Sequence, residues 1–132
     1  MCNYDKIRES LSDYGDIMDT LERIKQQIAN NPVILYMKGT PQFPMCGYSA
    51  RVVQVLKDTR AKVSYVNILE NPDIRAELPK YAQWPTFPQL YVNGELIGGC
   101  DIVVEMDEKN ELLPILQEAN AILAEKAEFE MA

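Results

Sequence analysis

The sequence predicts an α/β domain built on a four-stranded mixed sheet with helices on both faces. Three observations carry that expectation. "VILYM" (Val33 to Met37) is a short, almost wholly apolar run rich in β-formers, the pattern of a strand buried on both faces. Asn93-Gly94 stands between two strand-like runs, Gln89 to Val92 and Glu95 to Ile97, which is the signature of a two-residue hairpin. Between the first strand and a second, apolar residues recur at helical spacing, so the two strands and their crossover helix form a βαβ unit with a parallel strand pair.

The elements follow in order. Residues 1–16 are polar and weakly patterned, with Gly15 interrupting them. Leu21, Ile24 and Ile28 give a helix from Met18 to Ala29, ended by Asn30-Asn31-Pro32. After the first strand and a loop, Val52, Val53, Val55 and Leu56 predict a helix over Ser49–Arg60. "KVSYVNI" (Lys62 to Ile68) is the second strand. "NPDIRAELPKYA" places Asn71 as N-cap and Pro72 at the first helical position, and Pro79 is expected to bend or end that helix. The hairpin comes next. A short helix after Asp101 and a longer one from Asn110 to about Lys126 close the chain, with the last residues fraying. The expected organisation is an N-terminal extension over 1–17, one domain over 18–126 and a tail over 127–132.

Bulk composition narrows the function. A chain of 132 residues, 47% hydrophobic, suits one core. No run approaches the roughly 18 apolar residues of a membrane span, and the first residues read as neither a secretory signal nor a transit peptide. A net charge of −7 makes a poor general binder of nucleic acid or anionic membrane, so an anionic ligand needs a local cationic site. The absence of histidine removes Ser-His and Cys-His hydrolases and most zinc enzymes. Cys2, Cys46 and Cys100, odd in number and widely spaced, are no secreted disulfide framework; reduced thiols in a cytoplasmic setting fit better.

The chemistry concentrates at "KGTPQFPMCGYSA" (Lys38 to Ala50). Cys46 follows a loop and precedes a helix, where free N–H groups and the helix dipole favour thiolate over thiol. Gly47 permits tight backbone geometry and close approach by another molecule. Ser49 occupies the position at which a C-x-x-C redox pair would close, so an adduct on Cys46 must be resolved by another thiol. Lys38 at the strand end and Arg75 in a later helix can pair with a carboxylate, although both residue types are most often simply solvated. "WPTFP" (Trp84 to Pro88) would expose the backbone of Phe87 to an extended peptide if the Phe87-Pro88 bond were cis. In "GGCD" (Gly98 to Asp101), the glycines allow close approach. Asp101 is a natural N-cap that can also receive an ammonium group, and Cys100 is a second thiol whose distance from Cys46 depends on the fold. Cys2 reads as a free thiol with no role.

Together "KGTPQFPMCGYS", "WPTFPQLYVNGELIGGCD" and the element order resemble the monothiol glutaredoxins of the single-domain bacterial type, from about Met18 to about Lys126. The resemblance implies a thioredoxin-like fold, glutathione binding and a [2Fe–2S] cluster. By that resemblance Cys46 is the active-site thiol and cluster ligand. Lys38 and Arg75 hold the glycine carboxylate of glutathione, and Phe87, ahead of cis Pro88, pairs its backbone with the glutathione cysteine. Cys100 and Asp101 hold the γ-glutamyl end, and Gly47 and Tyr48 line the site. Tyr48 departs from the family's usual C-G-F-S motif, adds a hydroxyl, and hints toward oxidoreductase behaviour.

Three functions follow as expectations. The first is an iron–sulfur carrier acting in cluster assembly and redox homeostasis. It would be monomeric when apo and a glutathione-bridged homodimer when loaded, because two chains and two glutathiones supply the four thiolates of a cluster. The second is a weak glutathione-dependent thiol–disulfide oxidoreductase using Cys46 alone, with a Cys46–Cys100 disulfide as a subsidiary expectation. The third, implied only by the resemblance, is a binding module for BolA-type proteins, alongside apo iron–sulfur recipients.

Overall fold

The computed structural model describes residues 2–119 and 121–132, with side chains described from Gly15 onward, so the expectation for Cys2 as a thiol lies outside the described side chains. The chain runs α1 (Cys2–Asn30), β1 (Val33–Met37), α2 (Gly47–Asp58), β2 (Lys62–Asn67), α3 (Pro72–Ala82), β3 (Gln89–Val92), β4 (Glu95–Gly98), α4 (Cys100–Glu108), α5 (Leu112–Glu118) and β5 (Glu128–Met131). The sheet order is β4-β3-β1-β2-β5. β1 pairs in parallel with β2 (Leu35 opposite Tyr65) and antiparallel with β3 (Leu35 opposite Leu90).

Strand alternation explains why every residue of β1 is buried. Val33, Leu35 and Met37 join Val52, Val53 and Leu56 of α2, Val103 of α4, and Leu112 and Leu116 of α5 on one face. Ile34 and Tyr36 join Ile24 and Ile28 of α1 and Ile74 and Leu78 of α3 on the other. The hairpin turns on Asn93 and Gly94, both with positive φ (50° and 83°), as a type I′ turn requires.

Four local expectations are corrected. The first helix begins at Cys2 rather than Met18 and passes through Gly15, a residue that costs a helix only about 1 kcal/mol relative to alanine. Pro79 lies inside α3 without ending it; the helix stops at Gln83, whose left-handed backbone (φ 52°) caps it. Gly99, not Asp101, is the N-cap of α4, and Asp101 sits in the first turn, where its charge meets the positive end of the helix dipole.

The largest correction is at the C-terminus. The helix expected to reach Lys126 ends at Glu118, and the tail adds a fifth strand, parallel to β2, with Val63 opposite Phe129. Backbone bonds from Lys62 N–H to Ala121 O, Leu123 N–H to Arg60 O (2.9 Å) and Ala132 N–H to Tyr65 O (2.9 Å) stitch it along β2. Alanine, glutamate and lysine favour a helix here by only tenths of a kcal/mol each, whereas the β2 edge offers a ladder of open donors and acceptors. Phe129 is half-buried against the core, and the rest of β5 is exposed. Removing residues 128–132 is therefore expected to lower stability by only about 1–2 kcal/mol. A shift in the urea midpoint measures it; a loss of folding would show that β5 is integral to the core.

Candidate functional site

The ends of β1, α3, the β3 approach and α4 enclose a cleft of about 620 Å³ lined by Lys38, Cys46, Tyr48, Arg75, Phe87, Pro88, Cys100 and Asp101, and also by Pro79, Trp84, Pro85, Thr86, Gly99 and Ile102. Every expected site residue except Gly47 therefore meets in one cavity. Gly47 opens α2 and is exposed. Among the described residues a Cβ added there would touch nothing within 4 Å, so its expected role in tight backbone geometry finds no basis in them.

Cys46 is placed by the loop before it. Met45 N–H donates to Lys38 O (2.9 Å), Gly39 bridges to Pro44, and Gly39 N–H donates to Asn67 Oδ1 (2.9 Å), which also accepts from Leu69 N–H (3.0 Å). The single Asn67 side chain thus ties the loop to the turn after β2. Ser49 is fully buried and its hydroxyl accepts from Lys38 N–H (3.2 Å). The serine that replaces a second thiol is a brace between β1 and α2.

Cys46 is the N-cap of α2, with extended backbone (φ −151°, ψ 135°) and a half-exposed side chain. Its thiol is held below the usual cysteine value, chiefly by the backbone N–H of Ser49. Burial pushes the other way, while the Tyr48 N–H, the Lys38 charge and the Ser49 hydroxyl add to the lowering. Cys100, buried at the first position of α4, is pushed up by burial, then by the charges of Asp101 and Cys46, with Arg51 opposing. Both are free thiols. Because thiolate, not thiol, reacts, a lowered pKa moves the half-maximal alkylation rate to lower pH. Iodoacetamide is thus expected to modify Cys46 with a midpoint below the ordinary value of about 8.5, and Cys100 only above it. Lys38→Met is expected to move the Cys46 midpoint upward, read by peptide mass spectrometry across pH.

Around the thiol the surface is apolar and open: Phe43, Met45 and Tyr48 are 78%, 69% and 65% exposed. Deeper in the cleft the Phe87-Pro88 bond is cis. Neither Lys38 nor Arg75 enters an ion pair among the described residues, although the chain carries a net charge of −7. Two free cations and an activated thiol in one cleft suit a small anionic thiol compound. Among the described residues no three carboxylates or cysteines gather as a metal site, so a metal cluster here would need ligands from beyond those residues.

Residues 33–97 match the glutaredoxin family profile. Glutaredoxin 4 of Haemophilus ducreyi is 60% identical over 101 residues, 76% of this chain and 94% of that protein. The chain belongs to the glutaredoxin family. Glutaredoxin 4 of Escherichia coli K12 is likewise 60% identical over 102 residues, covering 77% of this chain and 89% of that protein. Among solved structures, a buckwheat glutaredoxin–glutathione complex superposes with a TM-score of 0.74 at 27% identity, over 83% of this chain and 97% of that one. With Ser49 in the second motif position, this glutaredoxin is of the monothiol type. The fold is the thioredoxin-like one expected, with five strands in place of four. No described helix of the glutaredoxin is long and apolar enough to cross a membrane.

Sequence reasoning missed the cleft walls contributed by Pro79, Trp84, Pro85, Thr86, Gly99 and Ile102. Trp84 Nε1 is buried there with no hydrogen-bond partner among the described residues. Gly99 approaches it closely: a Cβ at Gly99 would lie 3.2 Å from Pro88 O and 3.4 Å from Trp84 Nε1. The "WPTFP" and "GGCD" motifs were the available signal for Trp84, Pro85, Thr86 and Gly99.

Proposed function

We propose that this glutaredoxin binds glutathione in the Cys46 cleft and, as a glutathione-bridged homodimer, carries a [2Fe–2S] cluster for iron–sulfur assembly and redox homeostasis. The observation that carries the reading is the convergence of Lys38 and Arg75, neither of them ion-paired among the described residues, with an accessible, acidified thiol. Lys38 and Arg75 receive the glycine carboxylate. Phe87 offers its backbone to the cysteine residue of the tripeptide, and Cys100 and Asp101, in the first turn of α4, take the γ-glutamyl end with its ammonium group. Gly47 and Tyr48 border the sulfur. Bound glutathione brings a second thiolate beside Cys46, and two such pairs make the four thiolates that ligate two irons.

The open apolar rim of Phe43, Met45 and Tyr48 is the surface on which a second copy, a BolA-type protein or an apo recipient would meet the site. Free thiols support a cytoplasmic setting. Anaerobic reconstitution with iron, sulfide and glutathione tests the reading. Visible absorption and a doubled mass on gel filtration are expected, and neither without glutathione; a colourless monomer under all conditions overturns it.

A second reading is favoured by the lowered thiol of Cys46. Its thiolate attacks the glutathione sulfur of a protein–glutathione mixed disulfide, expelling the protein thiolate and leaving a Cys46–glutathione disulfide. A second glutathione thiolate attacks that bond, releasing glutathione disulfide and regenerating the Cys46 thiolate. Turnover in a glutathione-coupled reduction assay separates the two readings, since a carrier gives little.

A further inference from the structure

The cleft wall from Trp84 to Pro88 has little means of holding its own shape. Pro85 and Pro88 have no N–H to donate, and the segment lies outside regular secondary structure. Phe87 makes no backbone–backbone hydrogen bond among the described residues. Trp84 N–H donates to Pro79 O (3.1 Å) where the wall begins, and the side chain that ties the rest of it to the sheet is Gln89. Gln89, fully buried at the start of β3, donates through Nε2 to Trp84 O (3.1 Å) and Thr86 O (3.2 Å). Its Oε1 accepts from Tyr91 Oη at 2.9 Å. The amide orientation has no alternative, because two backbone carbonyls can only accept, whereas a tyrosine hydroxyl can donate.

Tyr91 is itself fixed. Its ring meets Tyr36 edge-on (centroids 5.7 Å apart, planes at 80°), and Tyr36 Oη donates to Gln27 Oε1 of α1 at 2.9 Å. A line of contacts therefore runs from α1 through the second core layer to the back of the cleft. By drawing the Trp84 and Thr86 carbonyls inward, Gln89 leaves the backbone of Phe87 free to face a ligand.

We propose that Gln89 is a positioning residue that shapes the peptide-facing wall of the cleft and so sets its selectivity for a tripeptide thiol. The proposal rests on the glutathione reading above. It concerns the tripeptide backbone, not the sulfur, so binding and thiol reactivity should separate on substitution.

The test uses Gln89→Glu, whose carboxylate only accepts, and Gln89→Met, which keeps the length and removes all polar atoms. Reduced glutathione is titrated by calorimetry, and the pH midpoint of Cys46 alkylation by iodoacetamide is measured in parallel. The dissociation constant for glutathione is expected to rise at least about tenfold in both variants, with the alkylation midpoint unchanged. Glutathione affinity within twofold of wild type in a folded variant overturns the proposal. So does a loss accompanied by a shifted alkylation midpoint, which would mean general distortion of the site. If neither variant folds, Tyr91→Phe carries the test: removing the hydroxyl that orients the amide is expected to weaken glutathione binding severalfold, and unchanged affinity overturns the proposal. A wild-type protein that fails to bind glutathione defeats the parent reading and this one with it, whereas wild-type binding with unaffected variants defeats this one alone.

Discussion

Cys46→Ser is expected to leave a folded protein that forms neither a visible cluster nor a mixed disulfide with glutathione. A serine hydroxyl stays protonated at neutral pH, so the N–H groups of Ser49 and Tyr48 and the charge of Lys38 that favour the thiolate have no anion to act on. Cys100 cannot take over, because it is buried and its thiol is pushed up rather than down. The sign of the stability change separates this from an unfolding mutation. Cys46 occupies the N-cap of α2 without making a side-chain cap bond, and serine is among the best N-cap residues. Stability should therefore hold or rise by up to about 1 kcal/mol. Reconstitution spectra and urea midpoints check both halves; cluster absorption that survives the substitution would remove Cys46 from the proposed ligand set.

Gly39→Ala is expected to be the most damaging small substitution in the loop. Gly39 has φ +92°, a conformation that costs an L-residue of order 1–3 kcal/mol by itself. Its added Cβ would also lie 2.5 Å from Phe43 O and 2.6 Å from Met45 N, both backbone atoms that no rotamer change can move aside. The loop would have to open, breaking the bond from Met45 N–H to Lys38 O that seats the residue before Cys46. A loss of about 2–4 kcal/mol is expected, together with a Cys46 alkylation midpoint drifting back toward the ordinary thiol value. Gly47→Ala is the control. With no atom within 4 Å of its Cβ, it should be neutral or slightly stabilising. Equal effects of the two substitutions would refute the assignment of the strain to Gly39.

The contrast between these glycines shows where reading the sequence succeeds and where it stops. Both stand near Cys46, and only Gly47 was singled out. The glycine the fold depends on is the other one, because its need arises from Phe43 and Met45 closing back over it. Ser49 is similar. Its identity announces the missing thiol, but its bond to Lys38 N–H exists only once β1 and α2 are packed together.

Features written in neighbouring residues were readable in advance: the doubly buried strand in "VILYM", the Asn93-Gly94 hairpin and the proline-flanked thiol at a helix start. They depend on steric preference, turn chemistry and periodicity over a few residues. Features set by pairing across the chain were not. The tail from Ala121 has the composition of a helix, yet it becomes β5 because the edge of β2 offers it hydrogen bonds. Gln89 looks like an ordinary polar residue in a strand, yet burial and two inward carbonyls make it the brace of the cleft. Local preferences amount to tenths of a kcal/mol per residue, so they yield wherever a long-range backbone ladder or a buried polar group must be satisfied.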